Sequence, residues 1–151
     1  MCADSLHDKA GYCPGGLTDR QFDRAEYAAR NHLTPEARDR VLGLLYGGKI
    51  HAGVLNNRKA NAKTGFDSEV TVNLASRNGN VFEANVEFLG YVLAHESEHA
   101  EQFSGLGGLI NEGLWRWGPQ SARDRMENAA YAYGCANSTS ILMKGNPVCI
   151  P

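Results

Sequence analysis

Val92-Leu93-Ala94-His95-Glu96-Ser97-Glu98-His99-Ala100 is the stretch whose reading decides both the fold and the chemistry of this chain. Its two histidines stand four residues apart in an apolar, helix-compatible run. On an α-helix such residues lie one above the other on the same face. His95 and His99 can therefore aim two imidazoles at one point, where a zinc ion would sit about 2 Å from each nitrogen. Glu96 follows the first histidine, close enough to take a proton from a metal-bound water. Chance places HExxH in roughly one chain in a hundred of this composition, so the surroundings have to support it.

They do. Phe88, Leu89 and Val92 fall on one face of a helix continuing to Phe103, and Val86, Leu93 and Ala94 make other sides apolar. The pattern predicts a central, buried helix. Two histidines and several glutamates on a buried helix need partners, and a metal would supply one. Catalytic zinc commonly keeps three protein ligands and an open position, so a third ligand must come from elsewhere. Glu98 and Glu101 share the helix but face away from the His95–His99 ridge or lie beyond it. Glu112, thirteen positions after His99, and Glu127, twenty-eight positions after it, are the two candidates. A following helix packed antiparallel could bring Glu127 to both imidazoles.

The chain has 151 residues, long enough to bury roughly two-thirds of its unfolded surface in one domain spanning 1–151. Its net charge of −2 gives no electrostatic case for nucleic acid or an anionic membrane. No apolar run approaches the roughly 18 residues of a membrane span. Met1 to Ser5 lacks the basic region and apolar core of a signal peptide. Cys2, Cys13, Cys135 and Cys149 lie near the two ends and form no CxxC pair. Pairing Cys2 with Cys13 and Cys135 with Cys149 would pin loose ends; four reduced thiols are the alternative.

Around the central helix the sequence predicts an α+β fold, mostly helical with a small sheet. Residues 1–16 read as a loop. Thr18 or Asp19 caps a helix to about Asn31, with Phe22, Ala25, Ala29 and Leu33 along one side. Thr34-Pro35-Glu36 opens a second, with Thr34 as the capping hydroxyl, burying Val41, Leu44 and Leu45 and stopping at Gly47-Gly48. Ile50 to Leu55 reads as a strand, Asn56 to Gly65 as an aperiodic loop, and Glu69 to Leu74 as a good strand. Asn78-Gly79 marks a turn favouring positive φ, and Val81 to Glu83 a brief returning strand. Gly105 to Gly108 reads as a break, Leu109 to Trp117 as a short helix, and Ala122 to about Tyr133 as a last helix ended by Gly134. Residues 135–151 read as loop-like, with a short apolar Ile141-Leu142-Met143. His32 and His51 are treated as structural or surface histidines, and Trp115 and Trp117 as core, lining of a cleft being the alternative.

His95-Glu96-Ser97-Glu98-His99 followed by Glu127-Asn128-Ala129-Ala130-Tyr131-Ala132-Tyr133-Gly134 resembles the zincin metallopeptidases whose third zinc ligand is a glutamate. More narrowly it is similar to bacterial toxin or effector metallopeptidase domains attached to RHS-type and type VI secretion proteins. Asn73, Gln102, the segment 105–109, Glu127, Ala130 and Gly134 stand where that pattern expects a strand-ending Asn, HExxHxxQ, a Gly/Leu-rich link and ExxAxxxG. The likeness covers roughly residues 69–134. Asn111-Glu112-Gly113 looks like the NEG segment of zinc aminopeptidases, with a shorter link, which keeps Glu112 as the rival ligand.

The resemblance implies a zincin-like fold, Zn2+ held by His95, His99 and Glu127, and hydrolysis of peptide bonds. Glu96 would act as general base and then acid. From their positions one turn and more after Glu127, Tyr131 or Tyr133 could donate to the developing oxyanion, packing of each ring against the HExxH helix being the better default. Expected partners are a peptide, protein or peptidoglycan substrate and a cognate immunity or inhibitor protein, with no nucleic acid. The expected setting is secretion or delivery into a target cell without a recognisable signal peptide, the cytoplasm being the alternative. A non-catalytic zinc-binding domain and a housekeeping peptidase are the competing readings.

Overall fold

A computed structural model of the chain describes residues 16–140 together with 143, 145, 146 and 149. These residues form an α+β arrangement of five helices and one three-stranded sheet. Helix α1, Asp19–His32, begins in a capping box: Thr18 accepts the Gln21 N–H, and the Gln21 side chain accepts the Thr18 N–H. Ala25, Ala28 and Ala29 form its buried side. Helix α2, Pro35–Tyr46, starts on proline, but the Thr34 hydroxyl does not cap it. That hydroxyl instead donates to Asn137 Oδ1 at 2.6 Å, tying the α1–α2 junction to the far end of the chain. Leu42 is buried here alongside Val41 and Leu45, while Leu44 is only partly covered.

Strand β1, Ile50–Gly53, pairs in parallel with β3, Val70–Asn73, and β2, Ala62–Thr64, pairs antiparallel to β3 on its other side. The order β1-β3-β2 leaves β2 at an edge. Three residues are too few to show alternation, so β2 reads as loop in the sequence; its state comes from pairing with β3, Lys63 opposite Thr71. The expected strand at 81–83 is instead a 3-10 turn, capped by the Asn80 side chain and driven by complete burial of Phe82. The turn before it follows the expectation, with Gly79 at φ 92°.

Helix α3, Val86–Gln102, is the centre of the molecule, with Leu89 through Ser97 buried without interruption. It packs on α1 and α2 on one side, the sheet on another, and α5, Gln120–Asn137, along its length. Complete burial of side chains such as Leu89 and Phe82 contributes about 1.5–3 kcal/mol each. Between α3 and α5 lies helix α4, Gly105–Trp117. The expected break at 105–108 is therefore the first turn of α4: only Gly105 has positive φ, and the chain turns helical straight after it.

Helix α5 outruns its expected end, because Gly134 serves packing rather than termination. A Cβ there would lie 2.9 Å from the Tyr91 ring, so the missing side chain lets α5 close on α3. The helix continues to Asn137, beside which Leu33 and Ser138 form a β-bridge. Cys135 is disulfide-bonded to Cys149, as the terminal pairing predicted, while Met143 is buried in the core. Cys2 and Cys13, the loop expected over 1–15, and Ile141-Leu142 lie outside the described residues. Substituting Gly134→Ala is expected to destabilise the fold by about 1–3 kcal/mol, lowering the thermal midpoint by several degrees in calorimetry. An unchanged midpoint would show that the α3–α5 contact accommodates a methyl group.

Candidate metal centre

Two rows of side chains meet between α3 and α5. On α3, Tyr91, His95, His99 and Phe103 follow at intervals of four, with successive ring centroids 6.2, 5.0 and 6.4 Å apart. On α5, Ala122, Met126, Ala130 and Gly134 form the buried row. Glu127 and Tyr131, one position further round the helix, turn into a cleft of about 550 Å³.

His95 Nε2 lies 3.0 Å and His99 Nε2 2.9 Å from the same oxygen, Glu127 Oε1. Candidate ligand atoms of the three residues all lie within 4.8 Å of one another. Tetrahedral zinc with bonds near 2 Å sets its ligands about 3.3 Å apart, close to the two histidine–carboxylate spacings. Glu112 is outside this cluster. It sits on α4, with Oε2 3.5 Å from Arg116 Nε.

Hydrogen bonding constrains the protonation of His99. Gln102 Nε2 donates to the Met126 carbonyl at 3.0 Å, which leaves Gln102 Oε1 facing His99 Nδ1 at 2.9 Å. That oxygen only accepts, so Nδ1 must carry a hydrogen. A neutral His99 would then point the lone pair of Nε2 at a carboxylate, which is repulsive. A proton shared between the two groups, or a cation bound between them, relieves that repulsion. Burial works against charging His99, yet the Glu127 hydrogen bond and the Glu96 and Glu127 charges outweigh it and raise its pKa. Hydrogen bonds from His95 and His99 hold Glu127 at about 2 against the opposing effect of burial. His95 Nδ1 is buried without a hydrogen-bond partner among the described residues.

Glu96 lies one residue round from His95, 6% exposed. Burial pushes its pKa up, opposed by the neighbouring His95 imidazole and by a hydrogen bond from Thr64. The Thr64 hydroxyl, on edge strand β2, donates to Glu96 Oε2 and so fixes which way the carboxylate faces. Nothing in the local sequence around Thr64 marks it, because the contact depends on how the sheet lies over α3. Ser68, at φ 64°, adds a second tie, its hydroxyl donating to the Ala100 carbonyl at 2.8 Å.

The two tyrosines expected near an oxyanion separate. Tyr131 lines the cleft with its ring 4.6 Å from that of His95. Tyr133 does not reach it: two positions on, it points to α2, donating to Glu36 Oε2 at 2.7 Å beneath the Arg40 guanidinium. Tyr91, which sequence reasoning passed over, does line the cleft, and burial raises its hydroxyl pKa above the ordinary value. Glu98 pairs with Arg40 at 2.9 Å and Glu101 is exposed. His51 is held 2.5 Å from Glu69, away from the cluster. Neither tryptophan is core: Trp115 walls the cleft beside Phe66 and Phe103, and Trp117 is 81% exposed. A short helix between two longer ones gave too little periodicity to tell its inner face from its outer.

Comparison with protein-family models, with curated proteins and with solved structures finds no match to this chain. The case for function therefore rests on the residues themselves.

Zinc content after dialysis is expected to fall in Glu127→Ala and to persist in Glu112→Ala. Gln102→Ala is expected to weaken zinc binding by about 10–100-fold while leaving the fold intact, since it frees the His99 tautomer. Competition with a chelator measures both effects.

Proposed function

We propose that this chain is a zinc-dependent peptidase of zincin type, hydrolysing an amide bond with Glu96 as proton carrier. The observation that carries the reading is the convergence of His95, His99 and Glu127 at the floor of an open cleft, with the buried Glu96 carboxylate beside them. The donor set fits zinc: two imidazoles and one carboxylate facing a common point. Bound there, zinc would lower the pKa of water and polarise the scissile carbonyl. Glu96 takes the proton of the attacking water and later returns it to the leaving nitrogen. Thr64 keeps the Glu96 carboxylate turned for both transfers. Tyr131 supplies a hydroxyl at the cleft wall for the oxygen that gains charge.

An extended peptide suits the cleft, because β2 is an edge strand and residues 59–66 line one wall. A substrate strand adding to that edge would have its main chain held by backbone hydrogen bonds. Between the catalytic and purely structural readings, the deep open cleft favours catalysis, since structural zinc sites normally close all four positions. The Cys135–Cys149 disulfide supports a role outside the reducing cytosol, consistent with delivery as an effector acting on protein or peptidoglycan peptides and restrained by an inhibitor protein. No helix among the described residues is long and apolar enough to cross a membrane.

Glu96→Gln is expected to keep zinc and lose hydrolysis of a peptide substrate by about 100-fold or more. Thr64→Val is expected to keep zinc and lower kcat about tenfold with KM little changed. Undiminished turnover in a folded, zinc-loaded Glu96→Gln protein would remove Glu96 from the mechanism.

A further inference from the structure

Helix α4 turns its apolar side outward. Leu106 is 82% exposed, Leu109 and Ile110 each 67%, and Trp117 81%. At 100° per residue, Leu106, Leu109, Ile110, Gly113, Leu114 and Trp117 fall within an arc of about 140° that contains no charged residue. The inward side of the same helix carries the buried Gly108, Asn111 bonded to the Gln102 carbonyl at 2.7 Å, and the cleft residue Trp115. Glu112 and Arg116 pair with each other along one flank. The outward residues expose roughly 600 Å² of largely apolar surface, at the upper end for a monomer's largest patch. It approaches the roughly 800 Å² that each partner gives to a stable interface.

The glycines say what kind of surface would cover this face. A Cβ at Gly113 would meet nothing within 4 Å. Nothing among the described residues therefore requires glycine there, although glycine weakens a helix at a position open to solvent. Gly113 carries no side chain in the middle of the apolar arc, and Ile110, one turn earlier, projects an exposed branched side chain beside that gap. We propose that two copies of this chain pair through antiparallel α4 helices. In one register Ile110 of each copy enters the gap at Gly113 of the other, Leu106 faces Trp117, and Leu109 faces Leu114. The contact is isologous, the same patch serving on both sides, as a twofold dimer requires. A bilayer surface fits less well: the chain's net charge is −2, the polar flank of α4 has one acid and one base, and fluid lipid does not read such a gap.

The pairing is independent of the peptidase reading, but it would brace the cleft, because Trp115 stands on the opposite side of the helix that pairs. Sedimentation velocity over ~1–200 µM protein is expected to show a monomer–dimer equilibrium with a Kd of roughly micromolar to tens of micromolar. Ile110→Glu should give monomer at all these concentrations with an unchanged circular dichroism spectrum. Gly113→Leu should weaken dimerisation about tenfold or more by filling the gap. In the double variant Ile110→Cys/Gly113→Cys, oxidation should join two copies covalently. A wild-type protein that stays monomeric throughout, or a dimer that survives Ile110→Glu, overturns the proposal. So does a monomer that co-sediments with phosphatidylcholine vesicles and loses that binding in Ile110→Glu, which would assign the face to lipid.

Discussion

One carboxylate oxygen facing two imidazole nitrogens sets the terms for the rest of this structure. Glu127 can meet His95 and His99 only if α5 lies close along α3. Bulky side chains along that contact would hold the helices too far apart. The buried row of α5 meets the requirement with Ala122, Ala130 and Gly134, leaving Met126 as its one long side chain. On another side of α3, Ala25, Ala28 and Ala29 form the buried face of α1, whose Ala28 carbonyl approaches Gly90. The central helix is held closely from two sides by small residues, and its polar ridge opens onto the cleft.

A helix so enclosed carries polar groups that must be satisfied, and the surrounding elements divide the work. The sheet supplies Thr64 to Glu96 and its following loop supplies Ser68 to Ala100. Helix α2 supplies Arg40 to Glu98. Asn73, fully buried at the end of β3, accepts the N–H groups of Leu55 and Ala75 and donates to Ala60, holding the loop that leads into β2. Each bond also fixes one element relative to the next, so polar satisfaction and the shape of the cleft arise from the same contacts.

The central helix, the two helices before the sheet and the one good strand were legible in the sequence because each has local signals of adequate length. HExxH at helical spacing, the capping candidates Thr18 and Asp19, Pro35 at a helix start and the β-branched run at Val70 are such signals. The placement of Glu127 on a later helix was legible too, from its distance to His99 and from ExxAxxxG. What escaped was whatever depends on contacts between distant segments. Strand β2 exists through pairing with β3, and the turn at Val81 through burial of Phe82. Gly134 carries the same residue type that ends helices, yet it sits inside one because Tyr91 occupies the space its side chain would need. Tyr131 and Tyr133 are two positions apart on a helix, about 200° in direction, and only the position of α3 decides which reaches the cleft.

Gln102 has a wider bearing than its single bond to His99. Its amide is turned by the Met126 carbonyl, the residue next to Glu127, so one segment of α5 both brings a carboxylate and sets the tautomer of an imidazole on another helix. Two of the three converging side chains thus take their competent form in one event, the docking of α5. Such a centre assembles cooperatively: it is complete when the helix pair is closed and has no useful half-built form. Stability of the helix pair and competence of the centre are then one quantity, and they should rise and fall together along the folding reaction.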